Sequence, residues 1–535
     1  MLPTKAPISV TRIGRVGPER IPGWPRLTRA WLASPRGLSA IFPDDPSDLR
    51  YARAIAAYRS RTAPDRARLA SIAREGLEEA GAPMGPERER SLAALGRPGS
   101  VAIVAGQQAG FATGPLFTLF KALTAVRIAR RLGESGVRDV VPVFWCASDD
   151  HDLAEIDLLR SVDPAGAEVR KFRAGLGARA HTPAFAVRAE PAVVEAVERF
   201  AASLPSTEFS AEVRALLAPA PGEPLANWFL RALSGIPGLE ELVAIEGRKL
   251  VPLAQRVLDA EISAPERSGS ALQSGARRLV GLGYEPTLGP LAPPFLYELA
   301  GEDGTVRRRP VTAGRPLRGP ASPNVALRPI VQAEALPAAV VVAGPSEIAY
   351  LAELPPLFER HGVPFPAIVP RFSATVIDAR AERTLEALGL APDAIFDLPE
   401  HAPAPAVAPD SFESAAAGAE AALSALEKEA IAVDPSLEKP ARKLRESASS
   451  ALAKLRERAR EAASAASETS LRRYRRLLQS VLPDGAPQER VLGPWALLNL
   501  HGLDLARSIG ETIDPGERSH AVLCVAAPGE PGGPG

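Results

Sequence analysis

Cysteine and lysine are both scarce in this chain of 535 residues. The two cysteines, Cys146 and Cys524, each lie within an apolar run and are far apart in the sequence. This usage is typical of proteins from a reducing compartment and does not indicate a disulfide framework. The chain has eight lysines, and Lys121 is the only one between residues 50 and 170.

An excess of charge of either sign is also missing. Lysine and arginine together number 63, as do aspartate and glutamate, so the formal net charge is zero. No overall field therefore attracts nucleic acid or an anionic membrane. No apolar run reaches the roughly 18 residues that cross a bilayer, and residues 1–15 lack the apolar core of a signal peptide. We expect a cytoplasmic protein that binds neither nucleic acid nor membrane.

Four short runs of β-branched and apolar residues predict buried strands, at 101–105, 140–145, 338–343 and 367–370. They come as two pairs. A helical pattern lies within each pair, from about Pro115 to Leu132 in the first and from about Ser346 to Arg360 in the second. Strand, helix and strand of this length form a βαβ unit with parallel strands. The pattern predicts an α/β fold whose parallel sheet is split by a long insertion.

The remaining composition predicts the domain organisation. Residues 1–165 would hold N-terminal helices and the first half of the core, 166–320 a connecting insertion, and 321–400 the second half. Residues 401–482 are rich in Ala, Glu, Arg and Ser, and their apolar spacing predicts an antiparallel coiled coil. We expect Pro435 and Pro440 to break the chain between its two helices. Residues 483–535 would return to the core and end in a disordered tail.

The residues that follow each predicted strand are the candidate site, because ligands of open parallel sheets bind beyond the carboxyl ends of the strands. These segments are GQQAGFATGP, ASDDHD, GPSEIAY and RFSAT. The first leads into a helix whose free N–H groups could hold phosphate. The candidate phosphate ligands are Gly106, Gly110, Thr113 and Gly114, with Thr113 as helix cap, and Arg371 in the last segment. A tight turn explains the glycines equally well, but it does not explain Gln107 and Gln108.

The segment ASDDHD holds the densest group of titratable residues at any predicted strand end. Neighbouring acids would raise the pKa of its histidine, and the group suits acid–base work, an amine or a divalent metal. The alternative role for the aspartates is helix capping. The candidate catalytic residues are His151, Asp149 and Asp150. The candidate substrate-binding residues are Gln107, Gln108, Asp152, Asn324, Arg328, Glu347 and Tyr350.

These residues, in this order, resemble the BshC family of cysteine ligases in bacillithiol biosynthesis. The resemblance rests on the segments 106–125, 142–157, 324–332, 344–354 with 369–375, and 489–502. The family more often has glycine and glutamate before its Asp-His-Asp, where this chain has Ser148 and Asp149. An acid is kept at the second position, so the charge there is the same.

The resemblance implies a Rossmann-like core related to class I aminoacyl-tRNA synthetases and nucleotidyltransferases, split by insertions, and a coiled coil that forms a homodimer. It also implies a ligase that joins the carboxyl group of L-cysteine to the amine of glucosaminyl malate, with ATP as co-substrate and Mg as a candidate ion. No lysine lies between residues 250 and 427, so the lysine-rich loop of the synthetases is missing and Arg371 is the candidate for its charge. The alternatives are a metal-dependent phosphoesterase and a nucleotide-binding scaffold that dimerises through the coiled coil.

Overall fold

The computed structural model of the chain describes residues 8–61, 65–162, 168–178, 181–302, 305–315, 317, 319–398 and 410–526. The predicted boundary at 400/401 and the predicted disordered tail beyond Ala526 lie outside these residues. The described residues form two compact units. The first contains those up to 396 and from 480 onward, and the second contains those between 397 and 479.

The strands in the described residues are β1 Val10–Val16, β2 Val101–Gln107, β3 Val140–Cys146, β4 Leu159–Val162, β5 Val169–Phe172, β6 Val243–Glu246, β7 Leu296–Glu302, β8 Thr305–Pro310, β9 Ala321–Pro323, β10 Ala338–Ala343, β11 Ala367–Pro370, β12 Ala374–Asp378 and β13 His520–Val525.

The helices are α1 Arg26–Ala33, α2 Ala52–Arg59, α3 Arg66–Glu79, α4 Pro86–Leu95, α5 Leu116–Glu134, α6 Leu153–Ile156, α7 Pro191–Ser203, α8 Ser210–Leu217, α9 Leu225–Ser234, α10 Gln255–Ser263, α11 Pro265–Gly281, α12 Arg328–Ala335, α13 Pro345–Leu351, α14 Pro355–Arg360, α15 Ala379–Ala387, α16 Asp410–Val433, α17 Glu438–Val481, α18 Gln488–Val491, α19 Trp495–His501 and α20 Leu505–Thr512.

A parallel sheet with the strand order β11-β10-β2-β3-β6 forms the core of the first unit. The predicted α/β class and the four predicted strands are confirmed, because β2, β3, β10 and β11 cover the predicted runs. These strands are buried almost throughout, as expected for a parallel sheet covered by helices. The fifth strand, β6, comes from the predicted insertion over 166–320, so that segment is part of the core sheet and not only a connection.

The smaller sheets of the first unit are built from distant segments. In one, β13 pairs antiparallel with β1 and parallel with β12, which brings the last described strand beside the first. In another, β7 pairs antiparallel with both β8 and β9. The two strands β4 and β5 form a hairpin. The β7–β9 sheet bears on function, because β8 carries a side chain into the site described below.

Two proline positions differ from the prediction. The helix predicted from Ser346 to Arg360 is two helices, α13 and α14, because Pro355 begins a new helix at a position where its missing N–H is tolerated. In the coiled coil, Pro440 does not break the chain. It lies in the first turn of α17, where N–H groups have no partner within the helix. The break is the short 3-10 turn Pro435–Leu437, and the side chain of Asp434 caps it.

The second unit is an antiparallel pair formed by α16 and α17, as predicted. Arg456 near the middle of α17 binds Glu420 at 3.0 Å and Glu413 at 3.3 Å. Arg445, earlier in α17, pairs with Glu427 near the end of α16. This crossed order of partners is that of an antiparallel hairpin. None of the helices in the described ranges is long and apolar enough to span a membrane.

A close contact between α11 and the turn before α14 yields a stability prediction. A Cβ atom at Gly275 would lie 1.8 Å from the carbonyl oxygen of Glu353, whereas a Cβ at Gly281 of the same helix would meet nothing within 4 Å. We expect Gly275→Ala to destabilise the protein by about 3 kcal/mol, because neither backbone can move without separating two packed elements. Gly281→Ala is the matched control and should be neutral or slightly stabilising. Thermal unfolding followed by circular dichroism measures both, and equal melting temperatures would contradict the contact.

Candidate functional site: a cleft at the switch point of the sheet

A cleft opens where the order of the strands changes direction. In the sheet, β3 and then β6 lie on one side of β2, and β10 and then β11 lie on its other side. Open α/β sheets bind ligands at such a switch point, beyond the carboxyl ends of the strands. The cleft has a volume of about 420 Å³, and its lining includes Gly106, Gln107, Gln108, Phe117, Lys121, Trp145, Asp150, Glu155, Arg328, Gln332, Gly344, Glu347, Tyr350, Arg371 and Arg490.

Lys121 lies on α5 at the floor of this cleft, and its side chain is 3% exposed. Its ammonium nitrogen donates to the carbonyl oxygen of Gly106 at 2.7 Å and to Gln107 Oε1 at 2.8 Å. It also pairs with Glu347 Oε2 at 2.7 Å. Burial lowers the pKa of Lys121, and the carboxylate of Glu347 opposes that shift. The lysine thus connects the end of β2 with the helix that follows β10.

The carboxylate of Glu347 can reach Lys121 because the residue beside it, Gly344, has no side chain. Glu347 Oε2 also accepts the backbone N–H of Gly344 at 2.6 Å. A Cβ atom at Gly344 would lie 3.1 Å from that same oxygen and 3.6 Å from Arg371 Nε. Glycine at this position therefore allows the carboxylate and the guanidinium to approach the same turn.

Arg371 follows β11 and is buried, but its charge is already compensated. Its guanidinium makes a bidentate pair with Glu489, with N–O distances of 2.7 and 2.8 Å. Burial alone would raise the pKa of Glu489, but Arg371 holds it below the usual range. Ser373 links this pair to His520, whose pKa burial lowers to about 4. Arg371 lines the cleft as predicted, although Glu489 takes up two of its donor directions.

Asp150 is at the centre of another group of charged side chains in the cleft. Its carboxylate binds Arg308 at 3.3 Å and Arg328 at 3.2 Å. Burial favours the neutral acid, but Arg328 and Arg308 outweigh it and lower the pKa of Asp150 to about 2. Arg328 was predicted to bind substrate and does line the cleft. Asp150 is therefore a fixed anion at any ordinary pH.

Asp149 and Asn324, both predicted site residues, have local structural partners and do not line the cleft. Asp149 is buried and accepts the hydroxyl of Ser322 at 2.5 Å. Asn324 Oδ1 accepts the backbone N–H groups of Ala326 and Leu327, at 3.0 and 3.1 Å. Asn324 thus holds the turn that precedes Arg328.

His151 lies at the mouth of the cleft, in a second cavity of about 450 Å³ lined by Gln108, Asp150, His151, Asp152, Glu155 and His181. Its ring stacks on that of His181 with centroids 5.5 Å apart. The predicted rise of its pKa is wrong, because burial and then Arg308 lower it more than Asp150 raises it. Arg308 Nη1 lies 3.2 Å from His151 Nδ1. Arginine only donates, so the neutral imidazole carries its proton on Nε2.

The glycine segment does not form the predicted phosphate loop. Gly110, Thr113 and Gly114 are buried and lie outside the cleft lining. Thr113 does not cap α5, whose N-cap is Pro115, and the first N–H of the helix, at Leu116, donates to the carbonyl of Leu492 at 2.7 Å. Only Gly114 of the predicted glycines has a positive φ, of 74°. The C-terminal segment therefore occupies the place where an anion was expected.

Of the other predicted site residues, one caps a helix and the rest line the cleft. Asp152 caps α6 by accepting the N–H of Glu155 at 3.3 Å, which is the alternative role, while it also lines the outer cavity. Gln107, Gln108 and Tyr350 line the main cleft. Gly106 also lines the main cleft, and a Cβ atom on it would lie 3.0 Å from the carbonyl oxygen of Trp145.

Several site residues were not predicted from the sequence. They are Lys121, Glu155, His181, Arg308, Gln332 and Arg490. Lys121 had a signal, since it is the only lysine in a long stretch and lies on the helix after the glycine segment. Arg308 had none, because a hairpin from the insertion carries it to Asp150. Among the described residues, no group of three His, Cys, Asp or Glu side chains is arranged to hold a metal ion.

The lowered pKa of His151 can be tested directly. We expect its imidazole to titrate below the ordinary value of 6.5, so that it is neutral at pH 7. Asp150→Asn should lower the midpoint further, because Asp150 is the main group that favours the charged ring. Carbon-labelled histidine NMR gives the midpoints, with His151→Gln for assignment. His501 is the control, since its neighbouring carboxylate is Asp378. A midpoint of His151 at or above 6.5 would contradict the arrangement.

Comparison with known proteins agrees with this architecture. The family model for the N-terminal Rossmann-like domain of bacillithiol biosynthesis BshC matches residues 20–292 and 319–372. The model for the C-terminal coiled-coil domain of the same family matches residues 374–525. The N-terminal match contains the whole cleft lining except Arg490, and Arg308 falls in the gap between its two matched stretches.

Curated proteins named "Putative cysteine ligase BshC" are similar to the chain over most of its length. The relative from Geobacillus thermodenitrificans is 29% identical over 461 residues, which are 80% of this chain and 84% of that protein. The relative from Chlorobaculum tepidum is 28% identical over 82% of this chain and 86% of its own. A relative from Thermus thermophilus is 31% identical over 76% of this chain and 85% of its own. The chain therefore belongs to the BshC family of bacillithiol biosynthesis.

Proposed function

We propose that this protein is a ligase that forms an amide bond between the carboxyl group of L-cysteine and the amine of glucosaminyl malate, with ATP as co-substrate, in the last step of bacillithiol biosynthesis. Membership of the BshC family supports the reaction class, since the curated relatives carry the name of cysteine ligases. The position of the cleft at the switch point supports its use as the substrate site.

The observation that carries this proposal is a group of buried polar atoms without partners, which belong to residues that line the cleft. Gln108 Oε1, Trp145 Nε1 and Arg328 Nε are buried and have no hydrogen-bond partner among the described residues. All three residues line the same cleft. An unsatisfied buried polar group costs about 1–3 kcal/mol, so a polar ligand that turns these side chains toward the cleft and pairs with them recovers that energy. Two donors and one acceptor suit a ligand with both acceptor and donor groups, as substrates with carboxylate and amine groups have.

The charges of the cleft fit a reaction that activates a carboxyl group. ATP would supply that activation, as an acyl-adenylate or an acyl-phosphate. Its phosphates would be held by Arg328, Arg371 and Arg490, which line the cleft, and not by the glycine segment. Arg490 is exposed at the edge of the cleft, so it is the arginine most accessible to an incoming anion.

The amine must lose a proton when it attacks. His151 was predicted for acid–base work in general. Its Nδ1 faces Arg308 and its Nε2 carries the proton, so it acts as a hydrogen-bond donor at the mouth. Glu155 is better placed as the base. It is exposed and lines both cavities. Desolvation by the surrounding protein, followed by Asp152 and Asp150, raises its pKa, although Gln108 opposes this. A raised pKa brings a carboxylate closer to the range in which general bases work.

The phosphoesterase alternative has less support. It requires a further acid or histidine at another strand end, and Glu347 is the obvious candidate. Glu347 instead pairs with Lys121, and Asp150 is held by two arginines.

The ligase reaction itself is the first test. Purified protein given ATP, L-cysteine and glucosaminyl malate should yield the amide product by mass spectrometry. Glu155→Gln should lower kcat by about 10²- to 10⁴-fold with little change in KM, because the base is lost and the hydrogen-bonding shape is kept. Full activity of Glu155→Gln would exclude Glu155 as the base. Full activity of His151→Ala would show that the cavity around His151 is not part of the active site.

The alternatives predict different results in the same assay. A phosphoesterase would hydrolyse phosphate esters without cysteine and would depend on a divalent metal. A scaffold would form no product, and its melting temperature would not respond to ATP, cysteine or the sugar malate. Absence of product from folded wild-type protein would refute the ligase proposal.

We also propose that the coiled coil forms a homodimer. Leu426, Leu444 and Leu455 in the second unit are each more than half exposed, which leaves apolar area for a second copy. Light scattering should give the mass of a dimer for the wild type. Leu444→Glu combined with Leu455→Glu should give a monomer with unchanged helix content. Leu500→Glu, at an exposed leucine of the first unit, is the control and should stay dimeric. A monomeric wild type, or a dimeric double variant, would contradict the proposal.

A further inference from the structure

Lys121 has used all of its hydrogen-bonding capacity within the protein. An ammonium group has three N–H donors and no acceptor. The three acceptors of Lys121 are the Gly106 carbonyl, Gln107 Oε1 and Glu347 Oε2, all within 2.8 Å of its nitrogen. It therefore has no donor left for a substrate, although it lies on the floor of the cleft. Its effect on a ligand must act through the groups that it holds.

The first of these groups is the amide of Gln107. Because lysine can only donate, the oxygen of this amide must face Lys121, and the amide nitrogen must point elsewhere. No described residue accepts a hydrogen bond from Gln107 Nε2, and Gln107 lines the cleft. Lys121 thus makes this wall of the cleft a donor, which suits a carboxylate oxygen.

The second group is the carboxylate of Glu347. Its Oε2 atom is occupied by Lys121 and by the N–H of Gly344. No described residue donates to the other oxygen, Oε1, and the side chain is 29% exposed. Lys121 and Gly344 thus fix one oxygen of Glu347 and leave the other as an acceptor in the cleft, which suits an ammonium group.

We propose that Lys121 is a positioning residue that gives the two walls of the cleft opposite polarity, so that the cleft takes a zwitterionic α-amino acid with its carboxylate on Gln107 Nε2 and its ammonium on Glu347 Oε1. This inference rests on the proposed function for the identity of the amino acid. Gln107 is the last residue of β2, and Glu347 lies in α13, the helix that follows β10. These two strands flank the switch point. One buried ammonium therefore orders both ends of a small ligand.

Binding of three small ligands tests the two walls of the cleft separately. L-cysteine carries both charged groups, cysteamine lacks the carboxylate, and 3-mercaptopropionate lacks the ammonium. Calorimetric titration of the wild type should show L-cysteine binding about 10- to 100-fold more tightly than either analogue, which is the loss expected for one hydrogen bond to a charged group. Equal affinity for the three probes would overturn the inference.

Two single variants test each wall in turn. Glu347→Gln should weaken L-cysteine but leave 3-mercaptopropionate unchanged, because that probe has no ammonium to lose. Gln107→Leu should weaken L-cysteine but leave cysteamine unchanged. If either variant weakens L-cysteine and its matched analogue by the same factor, the assignment of that wall is wrong.

Lys121→Met tests the positioning role. We expect it to weaken L-cysteine about 10-fold or more and to remove the preference over both analogues. In the ligase assay it should raise KM for cysteine and leave KM for the amine substrate unchanged, a split that a general loss of stability would not produce. Lys171→Met is the matched control, because Lys171 is half exposed and pairs with Asp484 away from the cleft. Wild-type preference in Lys121→Met would overturn the inference.

A second variant covers the case in which Lys121→Met does not fold. Lys121→Met combined with Glu347→Gln removes both charges and leaves no unpaired buried ion. It should fold and show no preference for L-cysteine, and a retained preference would again overturn the inference. Failure of this inference and failure of the proposed ligase function give different results. Selective binding of L-cysteine without product would refute the ligase alone, whereas product with an unchanged KM for cysteine in Lys121→Met would refute the role of the lysine alone.

Discussion

Parallel pairing of β2 with β10 is the constraint on which the site depends. Ile103 lies opposite Val340 and Val104 opposite Val341, although these residues are far apart in the chain. Parallel neighbours run in the same direction, so their carboxyl ends open at one edge. Gln107 at the end of β2, Asp150 after β3, Glu347 after β10 and Arg371 after β11 therefore line one cleft. The chemistry of the site follows from this direction more than from any single residue.

Charges in this cleft are balanced in pairs that join distant segments. Arg371 pairs with Glu489 of the C-terminal segment, and Lys121 pairs with Glu347 across the switch point. Asp150 is held by two arginines, one of which comes from the β7–β9 sheet. A buried ion is stable only with its partner in place. The same pairs that stabilise the charges therefore also fix the geometry of the cleft before any ligand binds, which reduces the cost of ordering the site on binding.

The elements that the sequence predicts well are those with local causes. The runs at 101–105 and 338–343 read as strands because they are short, apolar and β-branched, and the helix between β2 and β3 follows from its apolar spacing. Predictions failed where a distant segment intervenes. Thr113 does not cap α5 because Leu492 arrives there from the C-terminal segment, and the pKa of His151 falls because Arg308 arrives from the insertion. Pro440 was misread because its tolerance depends on its position within the first turn of α17.

The sequence by itself determined the class of fold, the antiparallel coiled coil and the strand ends at which the polar residues collect, since these depend on patterns within a few dozen residues. It also marked Lys121 as unusual. Only the tertiary structure decided which charge meets which partner, because each ion pair of the cleft joins segments whose spacing in the chain carries no information about their distance. That choice separates Gln107 and Glu347, which line the cleft and each keep one polar atom without a partner among the described residues, from Asp149 and Asn324, whose polar atoms are used within the fold.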